Sequence, residues 1–268
     1  MQSNNTTTAT FGISQFLDQT EDELKKMLMP FDYNLINEED YQPIRVNDSE
    51  YPSREGRPKE VDWRAKNVVT QVKNQGSCGS CWAFAVTAVI ESQNAIHNKK
   101  LVPLSEQELV DCAHKNFGCH GGYNYYAYDY IFHNGLANDR LYPYMAKEQS
   151  CRNITVNRVH IDSYQLLSQD EEKIADWVAQ NGPVSINAIA IVDSFYHYKS
   201  GVYECDKSAV QGFHSMAIVG YGEENGIPYW IVKNSWGPRY GLGGYLKMKR
   251  GVNACGLANA VYTAVIKN

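Results

Sequence analysis

Residues 82–96 form the longest stretch of apolar and helix-favouring side chains without Pro or Gly, and they predict a helix with Cys81 in its first turn. Three more helices are expected. One covers 104–112, with Ser105 as N-cap and Glu108 at capping-box spacing; the others are a tyrosine-rich segment at 124–133 and a segment at 166–180. Residues 117–123 between them read as a tight glycine-rich turn. After about residue 155 the pattern turns to β-type runs at 184–189, 213–221, 229–233, 244–249 and 260–266, and one short strand-like run lies earlier, at 68–72. Glu223-Glu224-Asn225-Gly226 predicts a hairpin between the second and third of the later runs. A mostly helical half (80–135) followed by an antiparallel β half makes the class α+β.

The first 56 residues are different. A polar Asn/Thr run opens the chain, and a helix starting at Thr20 carries acids early and lysines late, in keeping with the helix dipole, until Pro30 stops it. Residues 31–60 are polar, acidic and punctuated by proline, so they read as a linker. Residues 1–56 hold eleven acidic and four basic side chains, a net of −7, whereas the remainder nets +2. The split is open to a solvated acidic tail or to a leader held partly by charge, which would loosen near pH 4–5 as carboxylates protonate.

Composition is that of a soluble globular protein, with 43% hydrophobic and 21% charged residues. No apolar run reaches membrane-spanning length, no secretory signal is visible at the start, and a net charge of −5 argues against nucleic acid as partner. The seven cysteines are most simply three bridges and one free thiol in an oxidising compartment, which suggests that the sequence begins inside a longer precursor.

Cys78 and Cys81 are three apart. That spacing alone is open to half a zinc site, a redox pair or two unrelated thiols. A cysteine at a helix start gains from the free N–H groups and positive end of the helix, which favour thiolate. Its natural partner is a histidine base. His214 is the histidine embedded in an apolar strand run, and it lies 133 residues after Cys81. Asn234, at the end of the strand paired with that run, is placed to orient the imidazole, and Trp236 to shield their bond from water. Gln75 offers N–H donors for an oxyanion, together with the Cys81 backbone N–H.

The wider strings decide among these readings. Gln75-Gly76-Ser77-Cys78-Gly79-Ser80-Cys81-Trp82, Val61-Asp62-Trp63-Arg64, Cys119-His120-Gly121-Gly122, His214 with Gly220-Tyr221-Gly222, and Asn234-Ser235-Trp236-Gly237 occur in one order and spacing. In these the body, 57–268, resembles the papain-family cysteine peptidases of the cathepsin L type; Cys-Gly-Ser-Cys-Trp is a known local signature of papain and the cathepsins. The resemblance implies a two-lobed fold, with a helical lobe at roughly 67–155, a barrel-like β lobe at roughly 156–268 and a cleft between them. It implies an endopeptidase that works through a thiolate–imidazolium pair and an acyl-enzyme thioester and is made as a zymogen. Cys81 would be nucleophile, His214 general acid/base, Asn234 orienting residue and Gln75 oxyanion donor.

It further implies the bridges Cys78–Cys119, Cys112–Cys151 and Cys205–Cys255. Gly121 and Gly122 would pair with extended substrate, and Trp236 would border the cleft. Tyr123, Asn124, Asn187, Gly212, Ser215 and Ala260 would line the pocket for the side chain two before the scissile bond, a more polar pocket than the family's usual one. Gly12, Phe16 and Asp18 match a pattern of the family's inhibitory propeptide, with Ser14 where Asn is usual, so 1–56 is expected to be a partial propeptide cut somewhere in 49–60. Tyr240 stands where the family commonly has a second tryptophan, and Phe213 where a polar residue commonly precedes the histidine. No cofactor or metal is expected, and the partners are protein and peptide substrates and the chain's own propeptide. A lysosomal or secreted monomer away from membranes and nucleic acid is the expectation. The competing readings are a catalytically idle binding protein and a thiol–disulfide oxidoreductase using Cys78 and Cys81.

Overall fold

The structure, a computed structural model, describes residues 8–30, 41–206 and 208–267. The polar start before residue 8 and residues 31–40 of the expected linker lie outside these. The leader supplies β1 (Thr10–Phe11) and α1 (Glu21–Lys25), and the body begins with β2 (Val61–Asp62). The helices α2 (Cys81–Asn98), α3 (Glu106–Cys112) and α4 (Asn124–Asn134) follow. Next come β3 (Ser163–Leu166), α5 (Glu171–Asn181), β4 (Val184–Ile191), α6 (Asp193–Tyr196), β5 (Tyr198–Ser200) and β6 (Val202–Tyr203). The chain ends with β7 (Gly212–Glu224), β8 (Ile227–Lys233), β9 (Tyr245–Lys249) and β10 (Val261–Val265).

Among the described residues one sheet runs β3-β10-β4-β7-β8-β9-β6, with β2 added to β7, while β1 pairs with β5. The sheet is open, not a closed barrel. The pair β6–β9 is parallel, which departs from the all-antiparallel expectation. The β7–β8 hairpin closes on Asn225 and Gly226, both at positive φ, as a tight two-residue turn demands.

Two expected elements differ. Residues 68–72 form no strand, because Thr70 and Lys73 turn their side chains to buried carboxylates on α2 and α3. Residues 166–180 are not one helix: Leu166 ends β3, paired to Tyr262, and the helix begins only at Glu171, after Asp170 caps it through Glu172 N–H. At α3, Ser105 Oγ accepts from Glu108 N–H at 3.0 Å as expected. The reciprocal half of the capping box is missing, since the Glu108 carboxylate goes to Tyr130, Arg158 and the Ala137 N–H.

Two hydrophobic cores result. Trp82, Val86, Leu109 and Tyr128 belong to the helical one, and Trp63, Ile218, Trp230 and Leu246 to the other. Strand β7 divides between them: Met216 and Ile218 pack into the β core, and Ala217, between them, packs with the helices. Helix α2 lies along this strand.

Gly220 is where β2 approaches most closely, since a Cβ there would collide with the Val61 carbonyl. We therefore expect Gly220→Ala to lower the unfolding free energy by about 2 kcal/mol, read as a lower urea midpoint at unchanged m-value.

Candidate active site

Cys81 is the first residue of α2, fully buried, and the free cysteine among those described. The other six form Cys78–Cys119, Cys112–Cys151 and Cys205–Cys255, the pairing the resemblance implied. Cys78 is bonded to Cys119, so it cannot form a redox pair with Cys81.

The Cys81 sulfur meets the N–H groups of Cys81 and Trp82 at the helix tip and the backbone and hydroxyl of Ser215 on β7, all of which favour thiolate. Burial outweighs them and pushes the thiol up to about 12. The low-pKa sulfur expected from the helix tip is thus not the state found here. His214 precedes Ser215 and is also fully buried. Burial pushes its pKa down to about 4, opposed by the bond to Asn234.

His214 Nε2 lies 2.7 Å from Asn234 Oδ1. The same oxygen accepts the Ser235 N–H at 2.7 Å, which fixes the amide orientation. Nε2 is therefore the protonated nitrogen, and Nδ1, buried with no hydrogen-bond partner, is the free base. Trp236 covers this bond, its ring 4.7 Å from the imidazole, stacked on Tyr196 and edge-on to Tyr240. Tyr240 donates to the Phe195 carbonyl at 2.9 Å, so it fills its place in the aromatic group with its hydroxyl satisfied.

Gln75 is fully buried and held at both ends. Its Oε1 accepts from Ser235 Oγ at 2.6 Å, and Nε2 donates to the carbonyls of Cys78 and Met27, each at 2.8 Å. The latter belongs to the leader. Met29 exchanges both backbone bonds with Phe213 (2.8 and 2.9 Å), and Leu28 packs on Gly212. Upstream, Phe16 is edge-on to Trp236 and Tyr196, Gln15 donates to the Trp236 carbonyl at 2.6 Å, and β1 lies on β5. Ser14 Oγ sits 3.3 Å from His197 Nδ1. Apolar packing and backbone bonds thus do most of the holding. Among the described residues the leader's ion pairs to the body are the exposed Asp48–Lys173 and the longer Arg54–Asp176 (3.4 Å) and Arg54–Glu172 (3.9 Å), so leader carboxylates contribute one exposed pair.

Four of the residues expected to line a pocket are joined by hydrogen bonds. Asn187 Oδ1 accepts from Asn124 N–H (3.1 Å) and Ser215 Oγ (3.3 Å), Ser215 Oγ accepts from Ala188 N–H, and Asn187 N–H donates to the Ala260 carbonyl. Tyr123 and Ala260 share a packed cluster with Cys81 and the leader's Met29. Gly122 lies so close to the Asn116 amide and Trp82 that a Cβ would overlap both, and Gly121 adopts φ 110°. Among the described residues the leader's Met29 bridges to Phe213 and not to these glycines. The sequence reading missed Ser235 as the support of Gln75, Ser215 as a neighbour of the sulfur, and Met27 as the occupant of the amide donor. Their side chains or backbone act locally, without a motif of their own.

Residues 57–265 match the family model described as papain family cysteine protease. The chain belongs to the papain family. It is 42% identical over 257 residues to pro-cathepsin H of Bos taurus, covering 92% of this chain and 74% of that protein. It is 40% identical to cathepsin Q of Rattus norvegicus, covering 94% and 77%. Among solved structures, the proform of the ragweed pollen cysteine protease Amb a 11 matches at TM-score 0.86 and 36% identity, covering 97% of this chain and 82% of that one. Digestive procathepsin L 3 of Tenebrio molitor larval midgut matches at 0.82 and 34%, covering 96% and 83%. The protein is a cysteine peptidase with a propeptide.

The lowered histidine sets a pH dependence. In the Cys81→Ala chain, where no thiolate pairs with the imidazole, an opened site with His214 near its ordinary 6.5 takes up a proton that the covered site refuses until about pH 4. Acid therefore favours opening from about 6.5 down to 4, by at most tenfold per pH unit. In the processing-dead Cys81→Ala chain, amide-exchange protection at Met29, corrected for intrinsic rates, is expected to fall across this window. Constant protection would exclude His214 as the sensor.

Proposed function

We propose that Cys81, His214, Asn234 and Gln75 carry peptide hydrolysis and that the leader silences them by occupying the cleft. Release of residues 27–29 frees one Gln75 N–H and lets water reach the sulfur and the imidazole. His214 Nδ1 then takes the Cys81 proton, giving thiolate and imidazolium, with Asn234 Oδ1 holding Nε2–H. A neutral amide suffices there because the ion pair balances its own charge. The thiolate attacks the scissile carbonyl, and the oxyanion accepts from Gln75 Nε2 and Cys81 N–H. His214 returns the proton to the leaving amine and a thioester remains. Water then attacks that carbonyl with His214 as base, releasing the acid and restoring the thiol.

The observation that supports this most is the Met27 carbonyl on Gln75 Nε2, a peptide oxygen already held by the donor an oxyanion needs. The polar floor of Asn124, Asn187 and Ser215, with Gly212, Tyr123 and Ala260 around it, is the proposed substrate pocket, and Gly121, Gly122 and Trp236 border it. Residues 1–56 act as the intramolecular inhibitor of the body at 57–268, with maturation in 49–60. A cathepsin L-like endopeptidase, monomeric and lysosomal or secreted, is the finer reading.

Cys81→Ala is expected to abolish cleavage of a fluorogenic peptide library, and an epoxide thiol reagent to label Cys81 alone in processed enzyme. Gln75→Ala should lower kcat by about 10²–10³. Full activity of Cys81→Ala, or labelling elsewhere, would overturn the assignment. Processed wild type that cleaves nothing would instead favour a binding protein.

A further inference from the structure

Behind the candidate triad lies a group of four charges that no step above uses. Lys73 Nζ donates to Glu91 Oε1 and Glu106 Oε1, each at 2.7 Å, and to the Leu104 carbonyl at 2.9 Å. Thr87 Oγ1 adds a bond to the same Glu106 oxygen at 2.5 Å. Lys233 Nζ donates to Thr70 Oγ1 at 2.9 Å, and that hydroxyl donates on to Glu91 Oε2. Both glutamates are almost fully buried and Lys233 is 6% exposed. Lys73, Glu91 and Glu106 come from the helical half and Lys233 from β8, so the group spans the two halves. Two cations and two anions leave it neutral, the condition under which buried charge is tolerable.

Lys233 immediately precedes Asn234, and a cavity of about 10 Å³ separates the charges from the site. It is lined by Lys73, Glu91, Glu106, Lys233, Asn234 and Ser235, among others. That volume suits a single water, which needs polar partners around it. Partners are at hand. Asn234 Nδ2 is buried without a hydrogen-bond partner, while its Oδ1 is taken by His214 and Ser235.

We propose that this four-charge group is a positioning device for Asn234, linked to the Asn234 Nδ2 by one internal water in the cavity. The water accepts from Nδ2 and from Lys233 and donates to a carboxylate of the group. Asn234 is then fixed on both sides, with its oxygen on the imidazole and its nitrogen on a charge lattice that ties the halves together. Burial supports the coupling: it pulls Lys233 down to about 8 and raises Glu106, while against burial the Lys73 and Lys233 charges hold Glu91 low. Lys233, Lys73, Glu91 and Glu106 are positioning residues; none touches the reacting sulfur.

This rests on Asn234 orienting His214, and the tests keep the two claims apart. Processed Lys233→Met and Glu106→Gln are each expected to lose tenfold or more in kcat with KM within about twofold, and to shift the limb of the kcat/KM–pH profile that belongs to His214. The double variant restores neutrality, so its Tm should recover towards wild type while kcat stays low. Recovery of kcat together with Tm would reduce the group to a structural role and overturn the proposal. A crystal structure of the wild-type full chain gives a readout independent of variant folding: an ordered water within hydrogen-bond reach of Asn234 Nδ2 is expected, and a dry cavity refutes the link. Wild-type enzyme without activity on any peptide would instead sink the hydrolase roles.

Discussion

The arrangement depends on one contact, the tip of α2 pressed against β7 so that the Cys81 sulfur lies on Ser215, the residue that follows His214. In the proposed reaction helix and strand supply opposite halves of one ion pair. The helix offers N–H groups that welcome negative charge, and the strand offers an imidazole ready to become positive. Separating charge in so dry a place is nevertheless costly, and with the leader seated both groups stay neutral. On the proposed reading, inhibition and activation are two dielectric states of the same contact.

The leader does not merely block the cleft. It contributes a strand to β5, an aromatic ring to the Trp236 group, a carbonyl to Gln75 and a pair of backbone bonds to Phe213. Of these, the carbonyl on Gln75 takes a donor that the proposed chemistry would use, so on that reading leader and oxyanion compete for it. Apolar packing and backbone bonds carry much of the hold, and His214, its pKa lowered by burial, is a second acid-sensitive group besides the leader's carboxylates.

Much of this was legible in the sequence because the informative residues are constrained locally. The small residues ahead of Cys81, the apolar run around His214 and the Asn225-Gly226 turn each dictate their own conformation. The bridges followed from family resemblance and the Cys81 placement from the helical run behind it, and the geometry agrees with both. What escaped was non-local. Residues 68–72 have strand composition, yet Thr70 and Lys73 are claimed by carboxylates 21 and 33 residues away. Leu166 reads as helical until β10 pairs with it. The helix-tip argument gave the right sign for the sulfur but missed the larger effect, burial of the sulfur among residues from many parts of the chain.

The most direct test of this account is the pH dependence of Cys81 alkylation by iodoacetamide in the full chain and in the processed enzyme. Processed enzyme is expected to react rapidly at neutral and mildly acidic pH, as a thiolate–imidazolium pair does, while the full chain at neutral pH reacts only as the leader opens. Equal rates and equal pH profiles in the two forms would contradict the claim that burial by the leader keeps the sulfur and the imidazole uncharged.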